Sequence, residues 1–288
     1  MTATHDAFDI RQSALRIGRV ALKVRDLDKV AEFYEKTLGL RRLSASADRV
    51  TLGSAKTALL ELSATPAAKP RDPNQAGLFH IAFLLPSRAA LGAWLAYVIE
   101  NRLPVQGASD HIVSEAIYLA DPEGNGIEVY ADSPLSQWHD AAGNLLMGTK
   151  RLDAEKVVLA SQGSTWSGFP DDGLIGHMHL QVGDTDTSEK FYRDILGFGL
   201  TRQRQGAAFF GSDGYHHHVA CNTWNSQGAG MRSADAAGLA SFDILLRSSE
   251  EKTAILARAS KAGIGIDRDG EAVSINDPWG NRINLLAA

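Results

Sequence analysis

The sequence has little of several features that would place it in other classes of protein. It contains a single cysteine in 288 residues, Cys221, so no internal disulfide can form and a reducing cytoplasm suits it. No run approaches the roughly 18 apolar residues of a membrane span, and the first six residues do not resemble a signal peptide. The net charge of −5, without a basic cluster, gives no reason to expect nucleic acid or a membrane as a partner.

The chain repeats itself. Residues 17–40 resemble residues 175–198, with matched positions 158 residues apart. The apolar content of 44% and the charged content of 22% are typical of a globular protein. Each copy has an alternating strand pattern, an Asp before an amphipathic helix, and a Gly after it. The repeat therefore predicts one strand–helix unit used at least twice.

A second pair of copies lies between the first. Residues 76–82 match 237–243, and Asp121–Glu128 matches Asp277–Asn284. The sequence therefore predicts an α+β fold built from four βαβββ units. We number them one to four, at 15–63, 76–131, 174–223 and 237–287.

The units suggest a division of the chain into two regions. Units one and two would form an N-terminal region, 1–131, and units three and four a C-terminal region, 174–288. The connector between them, 132–173, is polar and Gly-rich, with one short helical stretch near 153–159.

One stretch, residues 109–128, carries the functional signal. It reads as strand, strand, tight turn, strand, with His111 on the first strand and Tyr118 on the second. Residues 121–124, Asp-Pro-Glu-Gly, supply the turn. Glu128 then stands among apolar strand residues, where a carboxylate either faces solvent or points inward as a ligand.

This stretch closely resembles the signature of type I extradiol ring-cleaving dioxygenases, which belong to the vicinal oxygen chelate superfamily. The matching positions are His111, Ile117-Tyr118, Asp121-Pro122, Gly124 and Glu128. Ser109 departs from the pattern, because the family usually has Gly or a few other types there. The resemblance implies that curled mixed sheets pair into two cups with helices outside. It also implies that Glu128 is a ligand of Fe(II), and that His111 and Tyr118 contact the substrate.

The choice of facing units follows from the ligands that such a metal needs. A non-haem Fe(II) oxygenase uses two His and one carboxylate. Unit two offers His80 and Glu128, unit three offers His177, and unit one offers Arg19, whose charge would repel a metal. We therefore predict that units two and three form the active cup, with His80, Glu128 and His177 as metal ligands, and that units one and four form a metal-free cup.

Further histidines fall near the predicted cup. By the resemblance, His111, Tyr118 and His218 are the catalytic residues, and which His is the acid–base is left open. His179 lies two residues after His177, on the same strand face. His216 shares a side with His218, so His179 and His216 are candidate substrate contacts.

The predicted function is extradiol cleavage of a catechol-type substrate by dioxygen at Fe(II), with Mn(II) as an alternative metal. Two other functions stay open. One is a glyoxalase-type isomerase or lyase, with His218 as a fourth ligand, and the other is a non-catalytic small-molecule binding protein. The pair of His111 and Tyr118 favours the dioxygenase. The sequence leaves open which catechol is cleaved and whether the chain forms a homo-oligomer.

Overall fold

The computed structural model describes residues 6–270 and 272–287, and residues 1–5, which bear on the signal-peptide prediction, lie outside that range. The strands are β1 (Leu15–Val24), β2 (Arg41–Ala45), β3 (Arg49–Gly53), β4 (Ala58–Ala64), β5 (Gly77–Leu84), β6 (Gly107–Asp110), β7 (Ser114–Ala120), β8 (Gly126–Asp132), β9 (Lys150–Arg151), β10 (Leu174–Gln181), β11 (Gly199–Arg204), β12 (Ala207–Gly211), β13 (Val219–Asn222), β14 (Gly238–Leu246), β15 (Ile266–Asp269), β16 (Ala272–Asn276) and β17 (Arg282–Ala287). The α-helices are α1 (Leu27–Leu38), α2 (Arg88–Glu100), α3 (Ala154–Leu159), α4 (Thr185–Glu189) and α5 (Ser249–Lys261). A π-helical segment, Lys190–Leu196, continues α4.

The strands form two mixed sheets. Sheet one has the order β15-β16-β17-β14-β1-β4-β3-β2, and sheet two has the order β11-β12-β13-β10-β5-β8-β7-β6-β9. Sheet one therefore joins units one and four through the antiparallel pair β1 and β14. Sheet two joins units two and three through the antiparallel pair β5 and β10.

The predicted α+β fold, with four βαβββ units paired into two sheets, is confirmed by this arrangement. The division into regions 1–131 and 174–288 stays a prediction. Each of those regions supplies one unit to each sheet, so the division along the chain does not coincide with the division between the sheets.

The helix boundaries follow from residues that satisfy free backbone groups. Asp26 accepts a hydrogen bond from the amide of Lys29 at the start of α1, and Gly39 ends that helix with φ 68°. Ser248 and Glu251 form a capping box at the start of α5. Helix α2 likewise begins after Ser87, whose side chain accepts a hydrogen bond from the amide of Ala90.

The repeated Asp-Pro-x-Gly-Asn turn has a structural role in both sheets. In unit two, Asp121 accepts hydrogen bonds from the amides of Glu123 and Asn125 and from the side chain of Asn125. In unit four, Asp277 makes the same bonds to Asn281. A buried carboxylate needs such donors, so this part of the signature stabilises the turn before the last strand.

Gly176 occupies an irregular position in β10, just before His177. The pairing of β10 with β5 shifts register between Ile175 and His177. A Cβ atom at Gly176 would overlap the hydroxyl of Tyr130. The glycine therefore lets β10 and the Tyr130 side chain approach each other beside His177.

The connector 132–173 packs onto unit two. Residues 150–151 add β9 to the edge of sheet two beside β6. Helix α3 packs on α2, where Gly92 allows the carbonyl of Val157 to come close. The connector therefore reaches one end of sheet two.

None of the helices in the described part of the chain has both the length and the apolar character needed to cross a membrane. The cytoplasmic location and the homo-oligomer stay predictions.

Candidate active site

Three adjacent strands of sheet two bring the predicted metal ligands together. Ala82 on β5 pairs with Glu128 on β8 and with His177 on β10, so the three residues form a row across the sheet. His80 precedes Ala82 by two residues and shares its face. Among the described residues, His80, Glu128 and His177 are the one group of three side chains arranged to hold a metal ion.

The distances within this group fit a single ion. The Nε2 atom of His80 lies 2.9 Å from Oε2 of Glu128 and 3.4 Å from Nε2 of His177, and the His177 and Glu128 atoms are 3.3 Å apart. Two ligands each about 2.1 Å from a metal are about 3.0 Å apart at a right angle and about 3.4 Å apart at a tetrahedral angle. The spacing of the donor atoms therefore fits a divalent metal.

The surroundings keep the donor atoms of His177 and Glu128 free of protons. Burial lowers the pKa of His177 to about 4. Burial raises the pKa of the Glu128 carboxyl, but its interactions with His177 and His80 outweigh this and leave that pKa well below its usual value. Metal ligands must be deprotonated to bind, so both residues are ready for a metal at neutral pH.

A cavity of about 510 Å³ adjoins the metal ligands. Its walls include aromatic and apolar side chains of units two and three and a short piece of the connector. These are Phe79, Val113, Met147, Phe209 and Trp224. Such a wall, with a few polar groups at one place, suits a small aromatic molecule.

His111 and Tyr118 form a hydrogen-bonded pair in this cavity. The Nδ1 atom of His111 lies 2.8 Å from the carbonyl oxygen of Gly148, and its Nε2 atom lies 2.6 Å from the Tyr118 hydroxyl. Because a carbonyl only accepts, Nδ1 carries a proton and donates it. With one proton on the ring, Nε2 is the acceptor for the Tyr118 hydroxyl. Burial, with the nearby Glu128 charge, raises the pKa of Tyr118 well above its usual value, so Tyr118 keeps its proton.

The turn that presents His111 is strained. Ile112, the next residue, has φ 74°, a left-handed conformation that is unfavourable for a β-branched side chain. Its amide donates to the carboxylate of Asp110, which supports this conformation. Strain of this kind is found at functional sites.

Comparison with known proteins identifies the family of the chain. The model of the Glyoxalase/Bleomycin resistance protein/Dioxygenase superfamily matches residues 16–129 and 174–285. The chain belongs to this superfamily. A curated relative from Bacillus subtilis (strain 168), named catechol-2,3-dioxygenase, is 36% identical over 267 residues, which are 91% of this chain and 93% of the relative. The predicted resemblance to dioxygenases of this superfamily is confirmed.

Solved structures support the superfamily fold. A structure from Bacillus subtilis subsp. subtilis str. 168 has a TM-score of 0.66 and 12% identity, and covers 96% of this chain and 85% of that one. Glyoxalase I from Zea mays has a TM-score of 0.58 and 17% identity, and covers 96% of this chain and 94% of that one. At these identities the likeness concerns the fold.

In this superfamily member, His179 lines the cavity as its strand position predicts. It lies directly opposite His80 across the pair of β10 and β5. The side-chain amide of Asn222 donates to its Nε2 atom at 2.9 Å. Burial lowers the pKa of His179 well below its usual value. His179 is therefore a neutral ring that is already hydrogen-bonded on one nitrogen.

The structure corrects the placement of His216 and His218. Neither residue lines the cavity, whereas His217 does. The ring of His218 lies beside Tyr215, and its Nδ1 accepts from the amide of Ser212. His217 lies against His177, with 4.1 Å between ring centroids. His217 therefore takes the position that the sequence predicted for His218.

A bend in the backbone explains this difference. Strict alternation requires a regular strand, but β13 begins only at Val219. The chain turns at Asp213 and Gly214, whose φ values are 51° and 86°. The three histidines follow this turn in irregular conformation, so their directions cannot be counted back from β13.

Several cavity residues escape sequence reasoning. Phe79 and Trp224 look like ordinary apolar residues, and residues 147–149 lie in the connector, which has no periodic pattern. The available signal for His217 was its place in a run of three adjacent histidines, His216–His218.

The other sheet has a guanidinium where sheet two has its metal ligands. Arg19 lies 2.9 Å from Glu61 and 3.8 Å from Asp243. The side chain of Asn284 donates to Asp243 at 2.7 Å. The cation of Arg19 thus neutralises the carboxylates that face it.

Proposed function

We propose that this protein is an extradiol ring-cleaving dioxygenase that opens catechol-type aromatic substrates with dioxygen at Fe(II). The observation that carries the proposal is the convergence of His80, Glu128 and His177 beside a cavity that also contains the His111–Tyr118 pair. The 36% identity to a relative named catechol-2,3-dioxygenase supports it.

His80, Glu128 and His177 would hold the metal. Two neutral imidazoles and one carboxylate leave the other coordination positions open. When bound, Fe(II) supplies a site for both adjacent oxygens of the diol and a route for electrons from the substrate to dioxygen. Mn(II) accepts the same ligand set.

His217 is our candidate for the group that takes a proton from the substrate. A catechol must lose a hydroxyl proton as it binds, and a neutral imidazole can accept it. His217 lines the cavity against the ring of His177. In this proposal it replaces His218 as the catalytic histidine of unit three.

His111 and Tyr118 would also orient the substrate. Tyr118 lies directly across from Glu128 in the pairing of β7 with β8. Its hydroxyl keeps its proton and is held by His111. Since that proton is donated to His111, the Tyr118 oxygen is placed to accept a hydrogen bond from a substrate hydroxyl next to the metal. His179 would contact the substrate from the face beside His80.

The isomerase alternative requires a fourth metal ligand, and the candidate was His218. In the described part of the chain His218 is outside the group of converging ligands. The binding-protein alternative gives no reason for the hydrogen-bonded His111–Tyr118 pair next to those ligands. The geometry therefore favours the dioxygenase.

Anaerobic loading with Fe(II), followed by a panel of catechols and then dioxygen, tests the proposal. We expect a yellow ring-opened product and one dioxygen consumed per catechol. Parallel loading with Mn(II) shows which metal supports turnover. If iron is fully bound and no catechol causes oxygen uptake, the proposed function is wrong.

A further inference from the structure

We propose that Asp132 and His216 are positioning residues that act through His217, and that they direct its unprotonated nitrogen into the cavity. The proposal rests on the proposed function for the role of His217. It stands on a buried chain of hydrogen bonds behind the cavity, which the sequence did not predict.

The chain runs from a carboxylate through two imidazoles to the cavity. The Oδ1 atom of Asp132 lies 2.9 Å from Nε2 of His216. The Nδ1 atom of His216 lies 2.8 Å from Nδ1 of His217. Since His217 lines the cavity and its Nδ1 is engaged, Nε2 is the ring nitrogen left for a ligand.

The carboxylate decides the position of each proton along this chain. A carboxylate oxygen accepts, so Nε2 of His216 carries a proton and donates to Asp132. In a neutral ring, Nδ1 of His216 is then an acceptor, so Nδ1 of His217 must donate to it. The remaining nitrogen of His217, Nε2, is left with a free lone pair. That is the state a proton acceptor needs.

Other buried groups hold Asp132 in place. The Tyr215 hydroxyl donates to the same Oδ1 atom at 3.2 Å, and the hydroxyls of Tyr215 and Tyr130 are 2.7 Å apart. Glu128, Tyr130 and Asp132 alternate along β8 and so share one face of the strand. One strand thus presents both the metal-binding carboxylate and the carboxylate that orients His217.

With one proton on each ring, all the hydrogen bonds of this chain can form in only one direction. His216 is completely buried, so an unpaired nitrogen on its ring would be costly. With the opposite tautomers, both Nδ1 atoms would still form a hydrogen bond, but His216 would present a lone pair to the Asp132 carboxylate. An amide at position 132 can donate, and this would permit the reversed chain.

Asp132→Asn is therefore the decisive variant. The side chain keeps its shape, but its NH2 group can donate to Nε2 of His216, which would put the proton of His217 on Nε2. In the serine protease triad the corresponding change lowers kcat about 10⁴-fold through the wrong tautomer. Here we expect kcat for catechol to fall at least about 10-fold, with KM changed less than about 2-fold and with iron content unchanged.

Asp243→Asn is the matched control, because it neutralises a buried carboxylate of sheet one that bonds to Asn284. We expect its kcat to equal that of the wild type. The proposal is overturned if Asp132→Asn binds iron and keeps the wild-type kcat. It is also overturned if Asp243→Asn lowers kcat as much as Asp132→Asn does.

A spectroscopic measurement tests the proton positions without turnover. Long-range ¹⁵N–¹H spectra of the protein loaded with Zn(II), with His217 assigned from a His217→Gln variant, report the tautomer. We expect His217 to be protonated on Nδ1 in the wild type and on Nε2 in Asp132→Asn. A wild-type His217 protonated on Nε2 overturns the proposal, even if the variant fails to fold. Since this readout needs no catechol, it is independent of the proposed dioxygenase activity.

Discussion

Replacing His177 with Ala tests whether a residue from beyond the connector completes the metal site. The side chain is 2% exposed, and its Nε2 lies 3.3 Å from Glu128 and 3.4 Å from His80. Alanine removes one of three protein ligands and leaves the other two in place. We expect His177→Ala to lose its iron during gel filtration, whereas the wild type retains it.

The size of the effect can be worked out from the ligand count. Structural zinc sites with four ligands have a binding free energy of about 10–16 kcal/mol, or about 3 kcal/mol per ligand. Losing one ligand should therefore weaken metal affinity about 100-fold. At a metal concentration of about 1,000 times the wild-type Kd, the stabilisation by metal falls from about 4.1 to about 1.4 kcal/mol. The rise in Tm on adding Fe(II) should then shrink by about 5–10 °C.

Ser241→Ala is the control for this experiment. Ser241 holds in unit four the position that His80 holds in unit two of the repeat, but it lies in sheet one. We expect Ser241→Ala to bind as much iron as the wild type, measured by elemental analysis, and to show the same Tm shift. Retention of iron by His177→Ala, together with its loss from Ser241→Ala, would show that the site has been assigned to the wrong units.

Two further predictions concern packing and substrate contact. Gly176→Ala should lower the free energy of unfolding, measured in urea, by at least about 2 kcal/mol, because the new Cβ would overlap the Tyr130 hydroxyl. Gly107 has open space around it, so Gly107→Ala should change the free energy of unfolding by less than about 1 kcal/mol. Tyr118→Phe removes the hydroxyl bonded to His111. Its kcat/KM for catechol should fall about 10-fold or more at unchanged iron content, and wild-type kinetics would contradict the assigned contact.

Much of the fold could be predicted because its signals are local. Helix caps such as Asp26 and Ser248, and the turns at Asp121 and Asp277, repeat at nearly constant spacing. Which units pair with each other depends on contacts between distant parts of the chain. The need for a second imidazole pointed to His177, and the strand order places it next to the other two ligands.

The part of the site that could not be predicted depends on backbone conformation. The left-handed residues Asp213 and Gly214 redirect the chain, so that His217 rather than His218 reaches the cavity. The tautomer of His111 is set by the carbonyl of Gly148, a group that every residue has. Neither a bend nor a backbone acceptor leaves a pattern in side-chain types.

The pairing of the first unit with the last has a consequence for synthesis. Leu15 on β1 pairs with Leu246 on β14. Roughly 230 residues must therefore be translated after Leu15 before this edge of β1 can pair with its partner strand. Until β14 has been synthesised, that edge of β1 lacks its partner and exposes unpaired backbone groups. A premature stop before β14 would leave every metal ligand in the product but no cover for β1.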